Sequence, residues 1–185
     1  NVLRFLDNHD TDRLLKEYPT DLSEWKQAVT FLLTMTGTPQ IYYGTELLMH
    51  GNKSKSDGDI RLDVPGGWPS DEVNHFSREG RDEIQNEAFD FMSKLLHWRK
   101  DNDIIAYGGM KHYFLQNGVY VYERYSENGN VLVFMNGRSE DVEINLNRYN
   151  ESIKDKFERT DLLSGDNITL GDTLKLSPKE ILVLE

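Results

Sequence analysis

Cysteine is absent from the chain. Disulfides and thiol catalysis are therefore excluded, and cysteine usage gives no clue to redox compartment. Long apolar runs are absent as well, and no stretch reaches the length of a membrane span. Positive charge is scarce: 21 Lys and Arg stand against 32 Asp and Glu, a formal net charge of −11. Phosphates would repel such a chain, which argues against nucleic acid and anionic membranes as partners. Neutral sugars meet no such obstacle.

What is present is aromatic and loop-rich. Nine Tyr, eight Phe and three Trp supply a core with aromatic surface to spare. A length of 185 residues suits one sizeable domain or two small ones. The chain opens at Asn1 directly on strand-like sequence. The expectation is a piece of a longer protein, with any targeting signal in the missing part.

Asn1 to Leu6 reads as a short strand. Asp21-Leu22-Ser23-Glu24 fits a helix capping box. Leu22, Trp25, Val29, Leu32 and Leu33 then fall at helical spacing. Gly37 is the expected helix stop, and Gln40 to Tyr43 the expected second strand. Strand, helix and strand with short joints predict a right-handed parallel crossover. The segment from Gly44 to about Gly80 is too long for a mere connection and reads as a functional loop. Its Gly, Ser and Asp content between His50 and Asp59 predicts a mobile tip or a ligand-ordered site. A second helix is expected from Asp82 or Asn86, stopped by Asp101-Asn102-Asp103. From Ile104 the pattern changes to strands and turns, with hairpin signals at Gln116-Asn117-Gly118 and Glu127-Asn128-Gly129. Short strands at regular spacing predict an antiparallel sandwich. The expected domains are therefore 1–103 and 104–185.

Phe5 to Asp10 reads FLDNHD, an apolar run that stops at Asn8, His9 and Asp10. A carboxylate beside an imidazole at a strand end is how a barrel delivers catalytic groups to a pocket. Alone, the plainer reading is stronger: Asp10 caps the next segment and His9 is a loop histidine. Two further motifs change the balance, GTPQIYYGTE over 37–46 and Asp57-Gly58-Asp59-Ile60-Arg61 in the long loop.

Taken together, these motifs resemble the C-terminal portion of an α-amylase-family glycoside hydrolase. FLDNHD is similar to that family's fourth conserved region, and GTPQIYYGTE to the stretch containing its eighth barrel strand. The β-rich tail is similar to its C-terminal domain. The loop motif looks most like neopullulanases and cyclomaltodextrinases. The resemblance implies the last two β/α units of a (β/α)8 barrel, followed by a C-terminal antiparallel β-sandwich. It implies that Asp10 is the carboxylate that stabilises the transition state and that His9 binds sugar hydroxyls. It implies that Asp57 and Arg61 bind neighbouring glucose units, with Arg13 lining the cleft. Gly58 and Ile60 depart from the family pattern, which has Pro and Cys there.

The resemblance also implies what is missing. The family's nucleophile and acid lie on earlier strands, so the fragment alone is expected to be inactive. Glu46 reads as a loop residue and Asp7 as a buttress of the strand end. Tyr42 and Tyr43 read as barrel filling and cleft wall, and Trp68 and Trp98 as packing, with Trp68 the alternative candidate for a sugar contact. The implied substrate is an α-glucan oligosaccharide or polysaccharide. The implied reaction is retaining hydrolysis, with transglycosylation by the same residues as an alternative. A carbohydrate-binding or structural sandwich module, using Tyr107, Tyr113, Tyr120 and Tyr122, is the competing reading. No cofactor is expected in this chain, and calcium is left to the full-length parent. An open pair of barrel units exposes a sheet edge, so the missing N-terminal barrel region or self-association is expected to cover it.

Overall fold

The computed structural model describes residues 2–154 and 157–185. Asn1, the expected start of the first strand, lies outside the described residues. The chain divides into two compact units, Asn1–Leu33 with Gly37–Trp98, and Thr34–Thr36 with Arg99–Glu185.

The first unit opens with β1 (Leu3–Arg4), α1 (Ser23–Thr34) and β2 (Thr38–Pro39). β1 and β2 pair in parallel, Leu3 opposite Thr38 and Arg4 opposite Pro39. Leu22, Trp25, Val29, Leu32 and Leu33 are all buried, as the helical spacing predicts. Asp21 accepts the Ser23 N–H at 3.3 Å at the helix start. The second strand lies earlier than the expected Gln40–Tyr43. Thr38 donates to Val2 O at 2.9 Å and Gln40 to Arg4 O at 2.7 Å. Pro39 falls between these donors, where the ladder needs no N–H. Gly37 makes this possible: its φ is +104°, and a Cβ there would lie 2.5 Å from the Val2 carbonyl oxygen. Val2, Leu3 and Phe5 are exposed to 60%, 56% and 45%, so the strand shows an apolar surface.

The long loop is not a free tip between His50 and Asp59. Gly51 N–H donates to Leu15 O at 3.0 Å and Arg13 N–H to Gly51 O at 3.2 Å. Lys53 N–H donates to Asp12 Oδ1 at 2.8 Å, and Asn52 N–H to Asp59 Oδ2 at 2.7 Å. These bonds fasten it to the segment after β1. Within it, α2 (Asp57–Ile60) is one helical turn whose N-cap Ser56 accepts the Asp59 N–H. The following helix, α3 (Glu83–Lys100), starts at the earlier of the two expected places. Asp82 Oδ1 accepts from Gln85 N–H at 2.8 Å, and Gln85 Oε1 accepts from Asp82 N–H at 3.2 Å. This reciprocal pair satisfies two helix-end donors. Ala88, Met92 and Leu95 form the fully buried stripe.

The second unit begins with a helical turn where strands were expected. Asn102 accepts the Ile105 N–H at 3.1 Å and caps α4 (Asp103–Tyr107). Strands follow: β3 (Gly109–His112), β4 (Val119–Ser126), β5 (Gly129–Asn136) and β6 (Val142–Asn145). After a helical turn, α5 (Asn150–Ile153), come β7 (Glu158–Thr160), β8 (Asn167–Thr169), β9 (Thr173–Leu176) and β10 (Ile181–Leu184). The main sheet has the order β10-β5-β4-β3, all antiparallel, and β6-β9 and β7-β8 form pairs. Asn117 at φ 51° and Gly118 at φ 78° make the tight turn that precedes β4. Val121, Leu132, Phe134, Leu182 and Leu184 of the main sheet share one core with Ile144, Leu146, Leu174 and Leu176. Apolar faces of antiparallel strands thus meet in two layers.

Candidate active site

The site is assembled on the segment that follows β1, and Asp7 is its foundation. Asp7 is 2% exposed. Its Oδ2 accepts the Leu14 N–H at 2.9 Å, and its Oδ1 accepts from Thr45 Oγ1 at 3.3 Å. Burial pushes its carboxyl above the usual range, against the pull of these hydrogen bonds and of Arg13. Asp7 therefore ties the exits of the two strands together, the buttress role expected of it.

Asn8 then shapes the turn. Its Oδ1 accepts the Asp10 N–H at 2.7 Å, and its own N–H donates to Thr11 Oγ1 at 3.0 Å. A side chain that bonds the backbone two residues on closes a local turn. The turn leaves the His9 and Asp10 side chains outward, each 64% exposed, with His9 Nε2 3.2 Å from Asp10 Oδ2.

The long loop brings the partners. Asp57 and Arg61 stand four residues apart, on the helical turn and its C-cap, so both face one side. Arg61 Nη2 lies 3.1 Å from Asp57 Oδ2 and 3.2 Å from Asp10 Oδ1. Arg61 Nε donates to the His9 carbonyl at 2.9 Å. Asp10, His9, Asp57 and Arg61 are therefore brought together. The family departures are accommodated. Ile60 is fully buried, so an apolar side chain fits there. A Cβ at Gly58 would meet only Ser56 Oγ, at 3.5 Å.

Arg13 behaves differently from expectation. It is 2% exposed and lines no open surface. Its Nε donates to Ile60 O at 2.9 Å, and its Nη1 to Tyr43 O. Its guanidinium lies 4.1 Å from the Tyr42 ring centroid and 4.7 Å from that of Tyr43. Arg13 is a fastener beneath the site, and the two tyrosines clamp it. Its place explains why the loop carrying Arg61 returns to the turn carrying Asp10.

Lys53 is the site residue that the motifs did not mark. Its Nζ lies 3.5 Å from Asp57 Oδ1 and 3.9 Å from Asp10 Oδ1. The available signal was its spacing four residues before Asp57, across a helix-capping Ser56. Trp68 is 61% exposed rather than packed, and its indole N–H donates to Asp63 Oδ2 at 3.1 Å, so its face stays open as the alternative sugar contact.

The arrangement sets two carboxylates and two cations where they can grip hydroxyls. Retaining hydrolysis needs a nucleophilic carboxylate and a protonated acid. Asp10 and Asp57 are both exposed and share the same two cations, Arg61 and Lys53. Among the described residues no group of three or more His, Asp or Glu is placed to hold a metal ion.

Comparison with known proteins identifies the family of both units. Residues 1–65 match the α-amylase catalytic-domain model, and residues 110–185 match the cyclo-malto-dextrinase C-terminal domain model. A cyclomaltodextrin glucanotransferase of Niallia circulans is 40% identical over 120 residues, covering 65% of this chain and 14% of that protein. An α-amylase of the same organism is 33% identical over 173 residues, covering 91% of this chain and 29% of that protein. The α-amylase of Geobacillus thermoleovorans, solved in complex with acarbose, superposes with a TM-score of 0.74 at 25% identity. That match covers 99% of this chain and 38% of the other. The chain thus spans under a third of the length of these curated relatives. The fold is that of the last two β/α units of a (β/α)8 barrel followed by an antiparallel β-sandwich.

Proposed function

This chain belongs to the α-amylase family of glycoside hydrolases, and from that premise we propose that it is the C-terminal part of a retaining α-glucan hydrolase. The observation that carries the reading is Asp10, held on one oxygen by Arg61 and facing His9 on the other. Asp10 would accept hydrogen bonds from hydroxyls of the sugar being cleaved. Those bonds shorten as positive charge develops on the ring, so they favour the transition state over the ground state. His9 would fix the ring through a further hydroxyl, and Asp57 with Arg61 would hold the next glucose units.

The remaining parts of the enzyme follow from what this chain leaves open. The nucleophile and the acid belong to earlier strands of the barrel, and residues 1–185 alone turn over no glucan. The exposed apolar strand at Val2, Leu3 and Phe5 supports a further barrel portion packed on this one. The test is Asp10→Asn in the full-length product of the reading frame. Turnover of maltooligosaccharides should fall by about a thousandfold. A variant with parental turnover would overturn the reading.

Transglycosylation is a second reading, supported by the likeness to a cyclomaltodextrin glucanotransferase, 40% identical over 120 residues. Chromatography of the products, longer chains or cyclic ones against shorter, separates the two. A sandwich acting only as a sugar-binding module is less well supported. Tyr122 is fully buried, and Tyr113 packs edge-on against Tyr149 with ring centroids 4.8 Å apart. Tyr122 and Tyr113 are thus spent on packing, while Tyr107 is 86% exposed and is the ring of this set open to a ligand.

A further inference from the structure

Two cations face the same two carboxylates. Arg61 Nη2 lies 3.2 Å from Asp10 and 3.1 Å from Asp57, while Lys53 Nζ lies 3.9 Å and 3.5 Å from them. The four groups close a ring of alternating charge. Lys53 is also deliberately anchored. Its backbone N–H is held by Asp12 Oδ1 at 2.8 Å, and Asp12 is in turn paired with Lys16 at 3.0 Å. The preceding Asn52 is held by Asp59, and its Oδ1 accepts from Ser54 N–H at 2.9 Å.

Stability does not explain the arrangement. All four side chains are at least 40% exposed, and ion pairs in that setting contribute little. The two cations are not equivalent either. Arg61 spends its Nη2 on two carboxylates and its Nε on the His9 carbonyl. Among the described residues the Lys53 ammonium makes the two longer ionic contacts and no hydrogen bond. It carries three donors that follow no fixed plane, so it can meet hydroxyls from many directions. A sugar unit seated over Asp57 must take the place of these contacts, and the ammonium is the group free to turn toward it.

We propose that Lys53 is a specificity-determining residue of this site: its ammonium leaves the Asp10–Asp57 gap and donates to a hydroxyl of the glucose unit lying over Asp57. This rests on the glucan reading of the site given above. Chains long enough to reach Asp57 engage Lys53, and shorter ones do not. Lys53 thereby sets a preference for chain length without taking part in bond cleavage.

The experiment uses the full-length product of the reading frame, with Lys53→Ala, Lys53→Met and Lys53→Arg beside Asp10→Asn. The substrates are linear maltooligosaccharides from maltose to maltoheptaose. For the long substrates kcat/KM of Lys53→Ala and Lys53→Met should fall about tenfold, the loss of one charge-assisted contact, carried by KM. For the shortest substrate cleaved, it should change by less than about twofold. Lys53→Arg should recover part of the loss. Lys53 is half exposed, so a thermal midpoint near the parent's is expected in each variant. Equal losses at every length, or no loss at any length, overturn the assignment of Lys53. Parental turnover by Asp10→Asn overturns the reading of the whole site, whatever Lys53 does.

Discussion

Arg61 reaches back across 51 residues to place its Nη2 3.2 Å from Asp10 Oδ1. It spans this distance because Ser56 caps the turn before it and Arg13 holds the Ile60 carbonyl beside it. Arg61 is therefore the part that fixes where the Asp10 carboxylate points.

Arg61→Lys should then be far from conservative. Lysine keeps the charge but loses the planar fork that serves Asp10, Asp57 and the His9 carbonyl together. In the full-length enzyme, kcat/KM on maltooligosaccharides should fall by at least about tenfold, roughly the value of one well-placed charged hydrogen bond. Activity within twofold of the parent would mean that Asp10 is positioned by other groups.

Arg13 should matter for stability more than for binding. Replacing it by Met leaves the Ile60 and Tyr43 carbonyls without their guanidinium donor and leaves the tyrosine clamp unfilled. Losing a buried, charged donor from two carbonyls should cost about 3 kcal/mol. Urea unfolding of the chain measures this. A loss under 1 kcal/mol, on the scale of an ordinary surface change, would contradict the role.

Much of this was legible in the sequence, and the misses have physical causes. The apolar stripe of Leu22, Trp25, Val29, Leu32 and Leu33 and the Asn117-Gly118 turn follow from local pattern, whereas Asp10, His9, Asp57 and Arg61 were marked by the family resemblance. The burial of Arg13 did not, because its partners are backbone carbonyls, and a carbonyl carries no residue-specific signal. Lys53 was missed for the opposite reason: on a loop rich in Gly, Ser and Asp, a lysine reads as solvated charge. The displaced second strand reflects register. Hydrogen bonds from Thr38 and Gln40 to Val2 and Arg4 set its position, while the apolar run at Ile41 to Tyr43 had marked it too late. The capped turn at Asp103–Tyr107 was hidden because Ile104 and Ile105 have strand propensity, which the Asn102 cap overrides.

Asp7 predicts a pH dependence. Burial raises its carboxyl above the ordinary value of 3.8. A raised folded-state value means that the folded chain holds this proton more tightly than the unfolded chain. The resulting stabilisation is complete below 3.8 and is lost as pH rises through the folded value. Asp7→Asn cannot titrate and lacks this contribution. The stability of the parent relative to Asp7→Asn should thus be greatest at acid pH and decline toward neutrality. Urea midpoints of both proteins at a series of pH values check it, and a gap that widens as pH rises would reverse the assignment.

The sandwich unit carries a buried polar network whose coupling can be measured. Glu123 is 3% exposed, with Oε1 accepting from Asn130 Nδ2 at 2.5 Å and Oε2 from Ser152 Oγ at 2.6 Å. Because the Ser152 hydroxyl spends its one proton on Glu123, the Tyr113 hydroxyl, 2.6 Å away, must donate to Ser152. Arg159, 2% exposed, donates to Asn130 Oδ1 at 3.0 Å and to the Ser152 carbonyl at 3.4 Å. Burial lowers the Arg159 pKa, and the Glu123 charge opposes that shift. Glu123→Leu should destabilise by about 1–3 kcal/mol, because it leaves the buried Asn130 amide and Ser152 hydroxyl donors without their acceptor. The double change Glu123→Leu with Arg159→Leu should cost clearly less than the sum of the two single changes. The expected coupling is on the order of 1 kcal/mol or more for groups that share one network. Unfolding of the four proteins in urea gives that term directly, and strict additivity would show that the two charges act independently.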